Sequence, residues 1–127
     1  MAQVPSTRRQ TSGDRIDWVA AADIAAGDVV PFGPRIAIAE IPIASGATGA
    51  LALTGTFRMP KATGAIAKGV IVYWDENGNP VSGDSGSGAI TGTASGNLRA
   101  GQAAEAALSA DETVDVLLGQ PGGTAGL

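Results

Sequence analysis

One local pattern recurs along this chain and confines it to a fold of short strands. An aliphatic residue is followed by two mostly small residues, then Gly or Asp, then a strand-like run. The pattern appears as Ile24-Ala-Ala-Gly27 before Asp28–Phe32, as Ile43-Ala-Ser-Gly46 before Ala50–Met59, and as Ile66-Ala-Lys-Gly69 before Val70–Trp74. Weaker copies are Leu98-Arg-Ala-Gly101 and Leu108-Ser-Ala-Asp111, the latter before Thr113–Leu118. Each reads as a turn that needs a permissive backbone at its Gly or Asp, with the aliphatic residue pinning the turn to a core. The spacing is irregular, which argues against a solenoid. It fits a β-domain that uses one turn solution several times.

The runs between these turns carry strand signals. From Ala50 to Met59, Leu51, Leu53, Gly55, Phe57 and Met59 share one face, while Ala50, Ala52, Thr54, Thr56 and Arg58 share the other. This alternation predicts one half-buried strand that ends at Pro60. Val70–Trp74 is apolar on both faces, which predicts a strand central in its sheet or covered by a partner. Asn77-Gly78 predicts a type I′ hairpin. Gly83–Gly96 reads as flexible Gly/Ser sequence around the pair Ala89-Ile90. Gln102–Leu108 has helical propensity, but the turns on either side favour a strand.

The core such strands can build is thin. Among 127 residues, Leu, Ile, Val and Phe number 27, against 24 Ala and 19 Gly. Small residues bury little apolar area each. Only 16% of residues are charged, fewer than the ~25–35% of a well-solvated surface. Both features predict that neighbouring subunits supply part of the stability.

The net charge of −4 is unevenly spread. Residues 1–15 carry Arg8, Arg9 and Arg15 against Asp14, and the rest of the chain is acidic. This describes a short basic arm on an acidic body. Three arginines on an acidic protein do not make a nucleic-acid surface. The organisation expected is an extended N-terminal arm over residues 1–17, a β-domain over 18–119 and a flexible Gly-rich C-terminal tail over 120–127. No signal peptide is recognisable at the N-terminus, and no apolar run reaches the ~18 residues that would span a bilayer. Synthesis in the cytoplasm and no membrane partner are therefore expected.

The candidate chemical motifs fail on residue type. Gly83-Asp84-Ser85-Gly86-Ser87 resembles a serine-protease nucleophile segment, but that chemistry needs a base of near-neutral pKa, and the chain has no histidine. Lys61 and Lys68 sit in no recognisable dyad context. Asp75-Glu76-Asn77-Gly78-Asn79 lacks calcium-loop spacing, since its Gly falls at the fourth position rather than the sixth. Without Cys or His, soft-metal sites are excluded within a single chain. Gly64–Gly69 lacks the spacing of a phosphate loop. The expectation is no catalytic residue, no cofactor and no metal. The two tryptophans matter because aromatics are only 4% of the chain. Trp74 is expected in the core, and Trp18 either in the core or at a subunit contact.

The sequence resembles the capsid cement, or head decoration, proteins of tailed bacteriophages. The resemblance rests on Ala26-Gly27-Asp28-Val29-Val30, then Gly49-Ala50-Leu51 through Phe57-Arg58-Met59-Pro60-Lys61. It continues through Gly64-Ala65-Ile66-Ala67-Lys68-Gly69 and Val72-Tyr73-Trp74-Asp75. A looser match follows near Val114–Leu118. The basic arm and the Gly/Ser insert lie outside it, and Val70 stands where the family usually has Asp. The resemblance implies a non-enzymatic protein on the outer surface of an expanded phage head, in the virion. Its implied partners are the major capsid protein and further copies of itself, a trimer ahead of a dimer. It also implies an all-β fold, a small twisted β-barrel or β-clip-like domain. Arg8, Arg9, Arg15 and Trp18 are the expected capsid or subunit contacts. The alternative function is a β-domain of a phage tail or spike that binds host surface carbohydrate, with Tyr73, Trp74, Asp75 and Asn77 as its cluster.

Overall fold

A computed structural model describes residues 3–6 and 14–119. Arg8, Arg9 and the expected tail over 120–127 lie outside the described residues. Nine strands form one curled half-barrel sheet. They are β1 (Arg15–Val19), β2 (Val29–Phe32), β3 (Arg35–Ala39), β4 (Thr48–Ala52), β5 (Gly55–Pro60), β6 (Ile71–Asp75), β7 (Ala89–Thr91), β8 (Leu98–Ala103) and β9 (Thr113–Leu118). The described residues contain no helix, so the all-β expectation holds. The first strand starts at Arg15 and pairs antiparallel with β4, Arg15 opposite Ala52. Arg15 and Asp17, expected in the arm, are thus part of the sheet.

The recurring turns are the scaffold. The amide of Asp28 donates to Ala25 O, that of Ala47 to Ala44 O, and that of Val70 to Ala67 O. In each turn the third residue is a glycine at positive φ: Gly27 at 90°, Gly46 at 81° and Gly69 at 88°. This is the type II geometry that a side chain resists. The turns also meet in pairs. Ile24 and Ile43 exchange both backbone hydrogen bonds at 2.9 Å, and Ile66 and Ala107 do so at 2.9 and 2.8 Å. The aliphatic residue ahead of each turn is therefore a backbone clip as well as a core anchor.

Two of the five expected turns are placed differently. Leu98–Gly101 is not a turn but the start of β8, and the turn ahead of it is Ala94–Asn97, closed by Asn97 N to Ala94 O. Gly101 is required for another reason. A Cβ there would lie 2.0 Å from the carbonyl oxygen of Leu117 on β9. The last turn, Leu108–Asp111, is closed by Asp111 N to Leu108 O, but its anchor is Ala107. Leu108 itself is 74% exposed.

These pairings expose an internal duplication. Ile24, Gly27, Ala39 and Ile43 correspond to Ile66, Gly69, Ala103 and Ala107. Gly27 N donates to Ala39 O as Gly69 N donates to Ala103 O, and Ala39 N donates to Asp28 O as Ala103 N donates to Val70 O. Arg15 opposite Ala52 corresponds to Phe57 opposite Val116, and Val30 opposite Ala37 to Val72 opposite Gly101. So β1–β4 and the set β5, β6, β8, β9 are two copies of one four-strand unit. The second copy carries an insert, residues 76–97, that contains β7. The halves join where β3 runs beside β8, Arg35 opposite Arg99.

The core lies on both sides of β3. Ile36 and Ile38 join the larger cluster with Met59, Val72, Trp74 and Ile90. Ala37 and Ala39 face the smaller one with Val30, Ile43 and Leu51. β6 lies between β7 and β8, as its two apolar faces predict. Val72 and Trp74 are buried, while Ile71 on the other face stays 38% exposed.

Three local expectations are corrected. Ala50–Met59 is two strands, broken at Leu53-Thr54, and Gly55 with φ of 113° opens the second. The chain there passes from one half to the other, so Leu51 and Met59 share a face by pattern but enter different clusters. Asn77-Gly78 does not centre a type I′ hairpin. Gly78 N donates to Asp75 O and Asn77 N to Asp75 Oδ1, which centres the turn on Glu76-Asn77. The strand paired with β6 arrives only at Ala89. In Gln102–Leu108, only Gln102 and Ala103 are strand, and the rest leads to the Ala107 clip.

Candidate docking surface

Of the four expected contact residues, the structure describes Arg15 and Trp18. Arg15 Nη2 is 2.7 Å from Glu40 Oε1, and Nη1 is 3.5 Å from Asp14 Oδ2. Both pairs are exposed, so each contributes at most ~1 kcal/mol. Arg15 is tethered to its own body but open to solvent.

Trp18 packs edge-on against Phe32, with ring centroids 6.3 Å apart and planes at 90°. It is half-buried against the smaller cluster. One side of it borders a shallow groove whose walls are Ala21–Ile24 and Asp28–Pro31. The run Ala21-Ala22 leaves this cleft unfilled because neither residue has a long side chain. Asp23 and Asp28 stand at its rim. Asp23 Oδ1 accepts from Ser45 N at 2.8 Å, and Asp28 Oδ2 accepts from Ala25 N at 2.9 Å.

Among the described residues, β1 pairs with β4 alone and its other edge is open. Leu53 N donates to Asp14 O and Ala20 N to Ala47 O, so the backbone groups of Ile16 and Trp18 face β4. Those of Arg15, Asp17 and Val19 face away from it. Two other outer edges, β2 and β5, carry Pro31 and Pro60 at positions that face away from their partner strands, and proline blunts an edge by removing a donor. The edge of β1 has no such guard.

The remaining candidates have structural partners. Ser85 Oγ donates to Asn79 Oδ1 at 2.9 Å, and Gly86 N to the same oxygen at 2.8 Å. The Gly-Asp-Ser-Gly segment is thus an ordered loop held by one asparagine. No group of three or more His, Cys, Asp or Glu that could hold a metal occurs among the described residues. Trp74 is 7% exposed and lies under Gly88, where a Cβ would meet its ring at 2.4 Å. It cannot offer a stacking face to a sugar, so Tyr73, Trp74, Asp75 and Asn77 do not form a carbohydrate platform.

One buried and one half-buried cation carry no signal in the linear sequence. Lys61 is fully buried, and its Nζ donates to Ala62 O at 2.8 Å and Ser109 O at 2.9 Å. Arg35 Nη2 donates to Leu53 O at 2.6 Å, while its buried Nε has no partner among the described residues. Desolvation pushes the Arg35 guanidinium below its ordinary range. Each ties strands to a turn or crossover rather than facing a ligand.

What remains is a body with an acidic, Trp-lined groove, a strand edge without proline and a basic N-terminal sequence leading into that strand. No curated protein and no solved structure matches the chain. A family model described as phage cement protein matches residues 10–118, which takes in all nine strands. The chain therefore belongs to the phage cement protein family, whose role is structural and associated with the capsid.

Proposed function

We propose that this protein is a decoration protein that binds the outer surface of an expanded phage head and stabilises it against internal pressure. The family match over residues 10–118 carries this reading. The partners are the major capsid protein and further copies of this chain, a trimer ahead of a dimer. The arm and β1 form the contact element. Arg8, Arg9 and Arg15 meet acidic surface, and Trp18 lies at a capsid or subunit contact. The open edge of β1 supports this, because an extended partner segment can add to it by main-chain hydrogen bonds. Several weak contacts made together by an oligomer gain avidity.

Co-sedimentation with undecorated, expanded heads tests the reading, read out as copies per head. Saturation at a number set by the icosahedral lattice is expected, and no binding by folded protein overturns it. A variant lacking residues 1–13 is expected to stay folded and to lose decoration. The truncation stops there because Asp14 already bonds to Leu53 and Arg15 pairs in the sheet.

A further inference from the structure

The duplication shows what covers this kind of groove. In the second half the walls corresponding to Ala21–Ile24 are Thr63–Ile66. There the cleft is lined on its other side by Ile90–Thr93, the end of β7 and the residues after it. β7 pairs with β6 through Tyr73 opposite Thr91 and Trp74 opposite Ile90. It also reaches the facing wall, where Ala62 N donates to Ile90 O. Tyr73 and Trp74 correspond to Pro31 and Phe32 of β2. The insert thus lays an extended segment, with one buried apolar side chain, into the second groove. The first half has no insert, and among the described residues its groove is open.

We propose that the open groove at Trp18 receives the N-terminal arm of a second copy of this chain. Val4 takes the part that Ile90 plays in the second half, and Arg8 and Arg9 meet Asp23 and Asp28 at the rim. Three observations select this occupant. Val4 is 90% exposed, so the chain's own arm does not bury it. The arm is basic and the rim acidic, and such complementarity sets register and partner choice. Pro5 costs nothing beside β2, because that edge is already interrupted at Pro31 and the ladder there is incomplete. The inference rests on the oligomeric cement reading. It assigns Trp18 and the arginine pair of the arm to the subunit contact rather than to the capsid.

The absence of native cysteine makes the test clean. Val4→Cys and Ala22→Cys variants are prepared separately, mixed, and oxidised both free and on expanded heads. The expected product is a disulfide-linked hybrid of the two variants, absent when either is oxidised alone. Adding Arg8→Glu and Arg9→Glu to the first variant should abolish it, and adding Asp23→Lys and Asp28→Lys to the second should restore it. No hybrid in either setting overturns the proposal. So does a double variant, Val4→Cys with Ala22→Cys, that closes only within one chain. Head binding is read separately by sedimentation. Normal decoration without hybrid removes arm exchange and leaves the cement reading standing, while hybrid without decoration does the reverse.

Discussion

At the residue scale, stability rests on a few positions where the backbone or a charge has no alternative. Lys61 donates to two carbonyls from a fully buried position. In the first half the corresponding bond is made by the main chain, where Gly46 N donates to Ala20 O. The lysine ammonium thus stands in for an amide. Lys61→Met keeps the aliphatic stem but leaves Ala62 O unpaired and Ser109 O with the Gly64 amide alone. A loss of about 1–3 kcal/mol in urea unfolding is expected. Gly101 and Gly46 separate two reasons for glycine. Gly46→Ala meets open space but a φ of +81°, so only about 1–2 kcal/mol of strain is expected. Gly101→Ala drives a Cβ against the Leu117 carbonyl. It is expected to cost more than about 3 kcal/mol or to prevent folding, since the neighbouring backbone cannot yield. Circular dichroism melts of the two variants check this, and equal losses would contradict it.

At the level of elements, the insert of the second half is a strand carried on a loop, and Asn79 is its fastener. Asn79→Ala removes the acceptor shared by Ser85 and Gly86. Limited proteolysis is expected to cut faster between Pro80 and Gly88 while the global melt shifts little, because local opening is separable from global unfolding. Much at this scale was legible in the sequence. The three Ile-x-x-Gly turns stand where the pattern puts them, since glycine at positive φ is a requirement a linear string can display. The central position of β6 follows from its apolar faces. Other features were hidden by their causes. Leu98-Arg-Ala-Gly101 looks like a turn, yet its Gly answers to a backbone that is distant in sequence. The break at Leu53-Thr54 is set by which half each segment joins, not by alternation. Phe32 and Asp23 gave no signal, because the groove exists only where β2 and the turn loop meet. The arginines at positions 8 and 9 stood out as charge on an otherwise acidic chain, and the acidic groove is the partner proposed for them.

For the whole molecule, the distribution of charge predicts how association responds to salt. The body's exposed ion pairs, Arg15–Glu40 and Arg58–Asp115, are worth little to the fold. In the proposed assembly the arm's contacts are intermolecular and multiplied by symmetry. Raising ionic strength from about 0.05 to 0.5 M shortens the screening length severalfold. Copies per head in the sedimentation assay are therefore expected to fall, while the thermal midpoint of the free protein moves only slightly. A melt that collapsed along with binding would mean that the charges hold the body together instead.

The duplication has a further consequence for how the chain is made. The first half is closed within itself, since β4 completes the pairing of β1 and β3. The second half closes in the same way on its own last strand, which is also the last of the chain's described strands: β5 waits for β9, Gly55 pairing with Leu118. During synthesis a folded N-terminal unit would leave the ribosome while Phe57 and Met59 still lacked cover. Only release of the final strand closes the sheet. A prematurely terminated chain would then show an unpaired apolar strand to chaperones and proteases, so the pool that reaches an assembling particle would consist of finished molecules.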